Sequence, residues 1–208
     1  MSQGHSRTNS LLQTLPNMGE TKLIKQYMKN FLTGRKVTLR KITKEDYENY
    51  IDIEDVMESR LLMNNGIPFP PTDTDHEKFL SEISSEKDDY MFGIELKDEK
   101  RFIGTIAVYL VDWKNGSCNV GISIAPDYQE KGYGTDAMRA LLDFIFNYMN
   151  VNKVKLQVFG YNKRAICSYE KCGFLLEGTL KEEIFRFGKY HDIYVMGLLR
   201  RDWESPII

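Results

Sequence analysis

Two glycines separate an apolar run from an amphipathic run in the segment Gln129–Thr135, hereafter the glycine turn. The preceding run Gly121–Ile124 has strand character, and the residues after Gly134 have helical periodicity. Glycine adopts backbone angles that a Cβ disfavours and lets a ligand approach the main chain. A helix N-terminus adds unpaired N–H groups and a partial positive charge. The pattern favours pyrophosphate binding by the main chain of Lys131–Thr135, with the Thr135 hydroxyl as a further donor.

The glycine turn matches neither of the commoner phosphate motifs. A P-loop places Lys and Ser or Thr after its last glycine, whereas Thr, Asp and Ala follow Gly134. A dinucleotide-binding fingerprint requires a third glycine where this chain has Ala137. On these residues alone, a tight strand-to-helix connection without a ligand remains an open alternative.

A second chemically suggestive segment is Asn162–Phe174, which combines a helix-capping asparagine, a tyrosine and a Gly-Phe end. Together with the Gln-x-x-Gly-x-Gly of the glycine turn, it resembles the motif blocks of the GNAT superfamily of N-acetyltransferases, in the same order and at the expected spacing. The resemblance covers about residues 35–203 and is nearest to the ribosomal-protein N-terminal and spermidine acetyltransferase branch. It implies an enzyme with acetyl-CoA as co-substrate and no metal. The acceptor would be a primary amine (small amine, polyamine or protein N-terminus) that attacks directly in a ternary complex.

The resemblance implies a role for each matching position. Tyr169 would protonate the departing thiolate, since a phenol with an ordinary pKa of about 10 is protonated at neutral pH. The strand before the glycine turn would present main-chain groups to the pantetheine arm and one N–H to the developing oxyanion. The implied cofactor-binding residues are Ile122, Ile124, Gln129, Lys131, Gly132, Tyr133, Gly134, Thr135 and Asn162. Packing of Tyr169 on the sheet, N-capping by Asn162 and a solvated Lys131 remain alternatives.

The general base is open at this point. Many relatives carry a glutamate on the strand before the turn, and that position falls near Asn119, which cannot accept a proton. Ser123 on the same strand is a candidate to hold a catalytic water. His191 and Asp192 on the last hairpin are further candidates, because an imidazole titrates near neutral pH. Deprotonation through ordered water, deprotonation by another carboxylate and binding of an already neutral amine are also open.

The acceptor is predicted to enter between the 54–75 region and the 180–192 hairpin. Acidic side chains there would attract a polyamine or an α-amino group, although charged helix and loop surfaces are an equally ordinary explanation. The acidic residues concerned are Glu54, Asp55, Glu58, Asp73, Asp75, Glu182 and Glu183.

Two other functions compete with catalysis. A non-catalytic acyl-CoA-binding regulatory module would keep the glycine turn without a base, although the presence of Tyr169 argues against it. A nucleotide-binding protein is disfavoured, because no adenine or magnesium motif accompanies the turn. Turnover separates the first alternative from an enzyme, and a preference for ATP or CoA separates the second.

Hydrophobic periodicity predicts the elements that position these residues. Strands are expected at 36–42, 90–96, 101–111, 118–124 and 153–159, followed by a hairpin of 174–187 and 190–199. Helices are expected after Thr43, over 72–85, after Gly134 and after Asn162. The order β-α-α-β-β-β-α-β-α-β-β predicts an α+β fold with a mixed, mostly antiparallel sheet flanked by helices. The GNAT resemblance adds splayed central strands.

Length and composition set the remaining bounds. The chain has 208 residues, a formal charge of −2 and three cysteines without a C-x-x-C pair. These values predict one domain, or one domain with an appendage, a cytoplasmic location, and no nucleic acid or membrane partner. The GNAT resemblance implies that the domain comprises residues 35–208. Residues 1–34 are expected to form an extension that is partly mobile and contains an extra helix over 21–33. A homodimer through that helix or the last strands is left open.

Overall fold

The computed structural model describes residues 31–63, 65–82 and 89–203. Seven strands in these residues form one sheet in the order β1-β2-β3-β4-β5-β7-β6. They are β1 (Val37–Arg40), β2 (Tyr90–Leu96), β3 (Phe102–Asp112), β4 (Ser117–Ile124), β5 (Lys153–Phe159), β6 (Leu175–Arg186) and β7 (Lys189–Leu199). The α-helices in the described part are α1 (Tyr47–Asp55), α2 (Met57–Met63), α3 (Asp73–Glu82), α4 (Tyr133–Tyr148) and α5 (Lys163–Lys171). The predicted fold class is confirmed.

The pairs β1–β2, β2–β3 and β3–β4 are antiparallel. The charged and Gly-containing separators predicted this arrangement for β2, β3 and β4. Within β3 and β4 the side chains alternate between the two faces of the sheet. In this register Thr105 lies opposite Ser123, Ala107 opposite Gly121 and Tyr109 opposite Asn119. These pairs therefore share one face, and the alternate positions share the other.

Helix α4 covers the face opposite to these pairs. Its apolar stripes are fully buried against strand residues such as Ile106 and Val120, as its periodicity predicted. The sequence pattern also placed Arg139, Asp143 and Asn147 on a solvent-exposed side. Arg139 and Asn147 are exposed, but Asp143 is buried, so the prediction is wrong for Asp143. The solvent-exposed face of α4 is therefore narrower than predicted.

Helix α1 packs on the other face of the sheet, where Tyr50 and Ile53 contact Phe102. The chain enters α1 through a 3₁₀ turn at Lys44–Asp46. The carboxylate of Asp46 accepts a hydrogen bond from the main-chain N–H of Thr43 at 2.8 Å. This bond confirms Thr43 as the start of the helical segment.

The parallel pair at the centre of the sheet is short. Strands β4 and β5 pair only from Ser117 with Lys153 to Asn119 with Lys155. Beyond that point, hereafter the fork, β4 continues for five residues beside β3 while β5 pairs with β7. The fork leaves an opening between the two strands, as the splayed central strands implied by the GNAT resemblance require.

Several predictions fall wholly or partly outside the described residues. Residues 21–30 of the predicted N-terminal helix are among them, as are the side chains of Phe79 and Leu80 in α3. Thr33 is described and forms an isolated bridge with Thr38. Among the described helices, none has the length and apolar character needed to cross a membrane.

Candidate active site

The fork opens into a cleft of about 1200 Å³. The volume exceeds the range of about 300–1,000 Å³ that is usual for small-molecule sites. Nine of the predicted site residues line it: Ile122, Ser123, Ile124, Gln129, Gly132, Gly134, Thr135, Asn162 and Tyr169. The other three, Asn119, Lys131 and Tyr133, are not in its lining. Sheet and helices thus bring both predicted motif blocks to one cavity.

The glycine turn closes one end of this cleft. Gly132 has a φ of 81°, in the left-handed region that favours glycine, and is the N-cap of α4. The helix begins at Tyr133, so the prediction that it begins after Gly134, at Thr135, is wrong by two residues. The first intrahelical bond runs from the Asp136 N–H to the Gly132 carbonyl at 3.1 Å. The amides of the three residues before Asp136 therefore have no carbonyl partner within the helix.

The carboxylate of Asp136, in the first turn of α4, binds the main chain at the start of β1. It accepts main-chain hydrogen bonds from Arg35 at 2.9 Å, Lys36 at 2.7 Å and Val37 at 3.1 Å. The Lys36 ammonium donates to the Lys131 carbonyl at 2.8 Å. Sequence reasoning did not identify Lys36 or Asp136 as site residues, because 95 or more positions separate each from its partner.

Two polar side chains of the glycine turn, Gln129 and Thr135, form hydrogen bonds to other parts of the protein. The Gln129 amide donates to the Ile124 carbonyl at 2.8 Å, so it fixes the end of β4. The Thr135 hydroxyl lies 2.8 Å from the Ser168 hydroxyl and links α4 to α5. A hydroxyl has one donor and two acceptor sites, so Thr135 keeps the capacity for one further bond to a ligand.

The side chain of Asn162 caps helix α5. Its Oδ1 accepts the Ala165 N–H at 3.1 Å, as the sequence predicted. Its amide NH₂ group has no hydrogen bond among the described residues and the residue lines the cleft. Capping and ligand contact are therefore compatible for Asn162.

Tyr169 is buried beside the fork. Its ring lies edge-on to Phe174 with centroids 5.9 Å apart, so the predicted packing on the sheet is real. Burial raises the pKa of Tyr169 well above its ordinary value, and Tyr109 and Cys172 add to this increase. The residue also lines the cleft, and the raised pKa means that its hydroxyl is protonated at neutral pH.

The candidate bases on the last hairpin lie elsewhere. His191 Nε2 is 3.1 Å from the Arg186 carbonyl, and its ring packs against Tyr161. Asp192 accepts the Glu182 N–H at 2.9 Å. His191 and Asp192 do not line the cleft. Among the described residues that do, the one carboxylate is Glu130, in the glycine turn.

The predicted acidic group does not form a wall of this cleft. Asp55 pairs with His76 at 3.2 Å, and Glu58 with Arg164 at 3.4 Å. Asp75 accepts the Thr72 N–H at 2.8 Å and caps α3. The side chain of Glu54 lies outside the described residues, and the described members of the group are absent from the cleft lining.

The cysteines divide into two kinds. Burial raises the pKa of Cys118 to about 12 and that of Cys172 to about 11, so both thiols stay protonated at neutral pH. Cys167 is exposed and lines the cleft. Two of the three thiols are thus unsuited to act as nucleophiles.

The arrangement suits transfer of a group between two substrates that meet at the fork. Free main-chain amides at one end can bind an anion such as a phosphate. A protonated phenol near the centre can supply a proton to a leaving group. The cleft lining also includes residues of α1, α2 and β2, namely Tyr50, Ser59, Met63 and Met91, and the volume of about 1200 Å³ leaves room for a second substrate.

Comparison with known proteins identifies the same segment. Residues 36–175 match the family described as Acetyltransferase (GNAT) domain. An uncharacterized N-acetyltransferase from Bacillus subtilis, the SPbeta prophage-derived YokL, is 30% identical over 175 residues, which are 84% of this chain and 96% of YokL. The spermidine N(1)-acetyltransferase of Vibrio cholerae is 35% identical over 102 residues, which are 49% of this chain and 59% of that enzyme.

A solved structure shares the fold. The crystal structure of spermidine N-acetyltransferase from Vibrio cholerae in complex with CoA and spermine superposes with a TM-score of 0.73 at 26% identity. The match covers 80% of this chain and 97% of that one.

Proposed function

This chain belongs to the GNAT acetyltransferase family, and we propose from this premise that it transfers the acetyl group of acetyl-CoA to a primary amine by direct attack in a ternary complex. The observation that carries the proposal is the meeting of the glycine turn and Tyr169 in one cleft at the fork. The turn offers the anion-binding amides that a CoA pyrophosphate needs, and Tyr169 offers the proton that a leaving thiolate needs.

The proposed chemistry balances without a metal. A neutral amine forms a C–N bond to the acetyl carbon, the C–S bond breaks, one proton leaves nitrogen and one reaches sulfur. Attack requires the nitrogen to lie about 3–3.5 Å from the carbonyl carbon, which binding of both substrates at the fork would provide. Main-chain groups of Ile122 and Ile124 would bind the pantetheine arm, and Tyr169 would donate to the thiolate.

The geometry of the cleft does not by itself select the amine that accepts the acetyl group. A polyamine is one candidate, because several of the similar proteins are named spermidine acetyltransferases. Apolar and neutral side chains such as Met63, Met91 and Ser59 line the cleft, and they would suit an amine with an apolar body. The cleft lining also contains the cationic side chains of Arg60, Lys163 and Arg164. Small amines, polyamines and protein N-termini therefore all belong in the test.

We further propose that residues 35–208 form the acetyltransferase domain, that 1–34 form an extension to it, and that the protein acts in the cytoplasm. The alternative function is a non-catalytic acyl-CoA-binding module. The observation that favours it is the uncharged Asn119 on the strand where many relatives carry a glutamate.

The first experiment measures thiol release from acetyl-CoA with spermidine, short peptides with free N-termini and aminoglycosides. We expect at least one rapid acceptor, and for that acceptor Tyr169→Phe should lower kcat by about 100-fold or more with little change in KM for acetyl-CoA. Tyr190→Phe, at an exposed site on the last hairpin, is the matched control. Tight CoA binding without turnover on any amine would favour the binding module instead.

A further inference from the structure

Two hydroxyl side chains lie next to each other on the sheet beyond the fork. Thr105 on β3 is directly opposite Ser123 on β4, where the pairing of β4 with β5 has already ended at Asn119. Both residues line the cleft, although Thr105 is only 6% exposed and Ser123 only 4%. Directly opposite residues of an antiparallel pair have Cβ atoms about 4.5–5.5 Å apart. Thr105 and Ser123 therefore form one local group, hereafter the hydroxyl pair.

The hydroxyl pair lies on the face of the sheet that α4 does not cover. A methyl group at Gly134 of α4 would lie 3.8 Å from Cδ1 of Ile122 and 3.6 Å from Cγ1 of Ile124. The residues on either side of Ser123 thus point toward α4, and the alternation of side chains along a strand directs Ser123 to the other face. Tyr50 of α1, which packs on that face, also lines the cleft. The hydroxyl pair is therefore separate from the helix N-terminus that would bind the pyrophosphate.

Neither hydroxyl of the pair has a hydrogen-bond partner among the described residues. Buried polar groups in folded proteins are nearly all hydrogen-bonded, so two adjacent exceptions in a cleft indicate a partner that binds there. Each hydroxyl oxygen has two acceptor sites and one donor. Ser59 is also buried and lines the cleft, but it lies on α2, outside this cross-strand register. The hydroxyl pair can thus accept two hydrogen bonds from one bound group.

Small and apolar groups adjoin the hydroxyl pair on its face of the sheet. The next pair along these strands is Ala107 opposite Gly121, and Met91 on β2 lies opposite Ala107. A methyl group at Gly121 would lie 3.4 Å from Cε1 of Tyr109, so the Tyr109 ring covers this glycine. Met91 and Tyr109 line the cleft together with the hydroxyl pair. A ligand bound there would meet two hydroxyls and, beside them, an apolar surface.

The attacking nitrogen of a primary amine matches the hydroxyl pair. In its neutral form this nitrogen has two N–H donors and one lone pair, and attack on the acetyl carbon uses the lone pair. Two N–H···O bonds of about 2.9 Å at a tetrahedral angle place their oxygens about 4.7 Å apart, which hydroxyls on opposite Cβ atoms can provide. A neutral secondary amine has one N–H and would leave one hydroxyl of the pair without a partner.

We propose that Thr105 and Ser123 bind the acceptor nitrogen as a neutral primary amine, each accepting one N–H hydrogen bond, with the carbon chain of the amine against Met91 and Tyr109. The lone pair of the nitrogen then remains available for the C–N bond. The hydroxyl pair gives up and takes up no proton in this step. It holds the nitrogen and selects primary over secondary amines. This inference rests on the acetyltransferase function proposed above.

The test compares the best primary amine of the panel with its N-methyl analogue in the wild type, Thr105→Val and Ser123→Ala. In the wild type, kcat/KM should be about 10-fold or more higher for the primary amine, because a site that bonds an N–H rejects an analogue without it. Each variant should lower kcat/KM for the primary amine by about 10-fold, mainly through KM for the amine, and should bring the primary-to-secondary ratio close to one. Thr105→Ser, which keeps the hydroxyl, should retain the wild-type ratio. Thr179→Val, at an exposed position on β6, is the matched control.

Further outcomes separate amine binding from other roles of these hydroxyls. The Kd for CoA should match the wild type in both variants, and weaker CoA binding would overturn the proposal by placing the hydroxyls on the cofactor. An amine KM and a primary-to-secondary ratio within about twofold of the wild type in both variants would also overturn it. So would an equal fall in kcat for both amines at constant KM, since the hydroxyls would then hold a catalytic water. A wild type that binds CoA but acetylates no amine would instead refute the proposed function.

Discussion

Lys36 brings a positive charge to the rim of the glycine turn from the first strand. Its ammonium donates to the Lys131 carbonyl at 2.8 Å and lies 5.5 Å from the centroid of the Tyr133 ring. An ammonium has three donors, and the Lys131 carbonyl occupies one of them. Among the described residues no carboxylate pairs with this ammonium, so two donors remain for an anion bound at the turn.

We expect Lys36→Met to raise KM for acetyl-CoA by about 10-fold and to leave kcat nearly unchanged, because a charge-assisted hydrogen bond to phosphate contributes about 1.5–3 kcal/mol. Steady-state kinetics with a saturating amine measure both constants. Lys114→Met, at the exposed turn between β3 and β4, is the matched control. A KM within about twofold of the wild type would show that Lys36 only braces the Lys131 carbonyl.

Residues with local sequence signals were the easiest to predict. Asn162 and Tyr169 belong to one helical segment, and their capping, burial and position at the cleft follow from it. Lys36 was missed because its partner, the Lys131 carbonyl, lies 95 positions away in the sequence. The prediction for Gln129 was incomplete, since its amide also holds the Ile124 carbonyl.

The two glycines of the turn have different physical roles. Gly132 has a φ of 81°, whereas Gly134 lies inside the first turn of α4 without a positive φ. A methyl group at Gly134 would meet Ile124 at 3.6 Å and Ile122 at 3.8 Å, which is ordinary van der Waals contact. The sequence-based expectation that both positions need glycine for backbone conformation is therefore wrong for Gly134. Close approach of a ligand remains a reason for glycine there.

The pair Gly132→Ala and Gly134→Ala separates these roles. We expect Gly132→Ala to destabilise the protein by about 1–2 kcal/mol, because a Cβ is disfavoured in the left-handed region. Gly134→Ala should leave the free energy of unfolding nearly unchanged and weaken CoA binding by about 10-fold or more. Urea denaturation and calorimetric titration with CoA provide the two measurements. Equal CoA affinity in Gly134→Ala and the wild type would contradict a ligand contact at this helix turn.

Strands and helices were predicted well because their apolar periods are local properties of the chain. Tyr90–Leu96 and Lys153–Phe159 agree residue for residue with the prediction. The length of the β4–β5 pairing was not predictable in the same way, since it depends on the twist of both strands and on the pairing of β5 with β7. The family resemblance predicted that the two central strands separate, and the structure shows that they separate after Asn119.

At the scale of the whole molecule, an ion-pair cluster in the described part of the chain connects the first two strands with the start of α1. Arg40 on β1 donates to Asp46 at 2.7 Å and to Glu95 on β2 at 2.5 Å. Asp46 is 5% exposed and also accepts the Thr43 N–H at 2.8 Å. Arg40 thus links two strands to the start of α1, whose Tyr50 lines the cleft.

This cluster makes stability depend on pH. The hydrogen bond from Arg40 holds the pKa of Asp46 below its ordinary value, although burial acts in the opposite direction. The unfolded chain, in which an aspartate has a pKa of about 3.9, takes up the proton first as the pH falls. The contribution of Asp46 is therefore present above about pH 4 and is lost as the pH falls through the lower pKa of the folded state.

Asp46→Asn should lower the free energy of unfolding by about 1–3 kcal/mol at pH 7, because it leaves a half-buried guanidinium without one of its carboxylates. Urea titrations between pH 7 and pH 3 should show that the difference between wild type and variant shrinks at the acid end, since protonated Asp46 no longer attracts Arg40. Asp98→Asn, at an exposed turn, controls for the loss of one negative charge. If the difference between Asp46→Asn and the wild type stays constant over this pH range, Arg40 does not depress the pKa of Asp46. The attachment of α1 to the sheet must then rest on the packing of Tyr50 and Ile53 against Phe102.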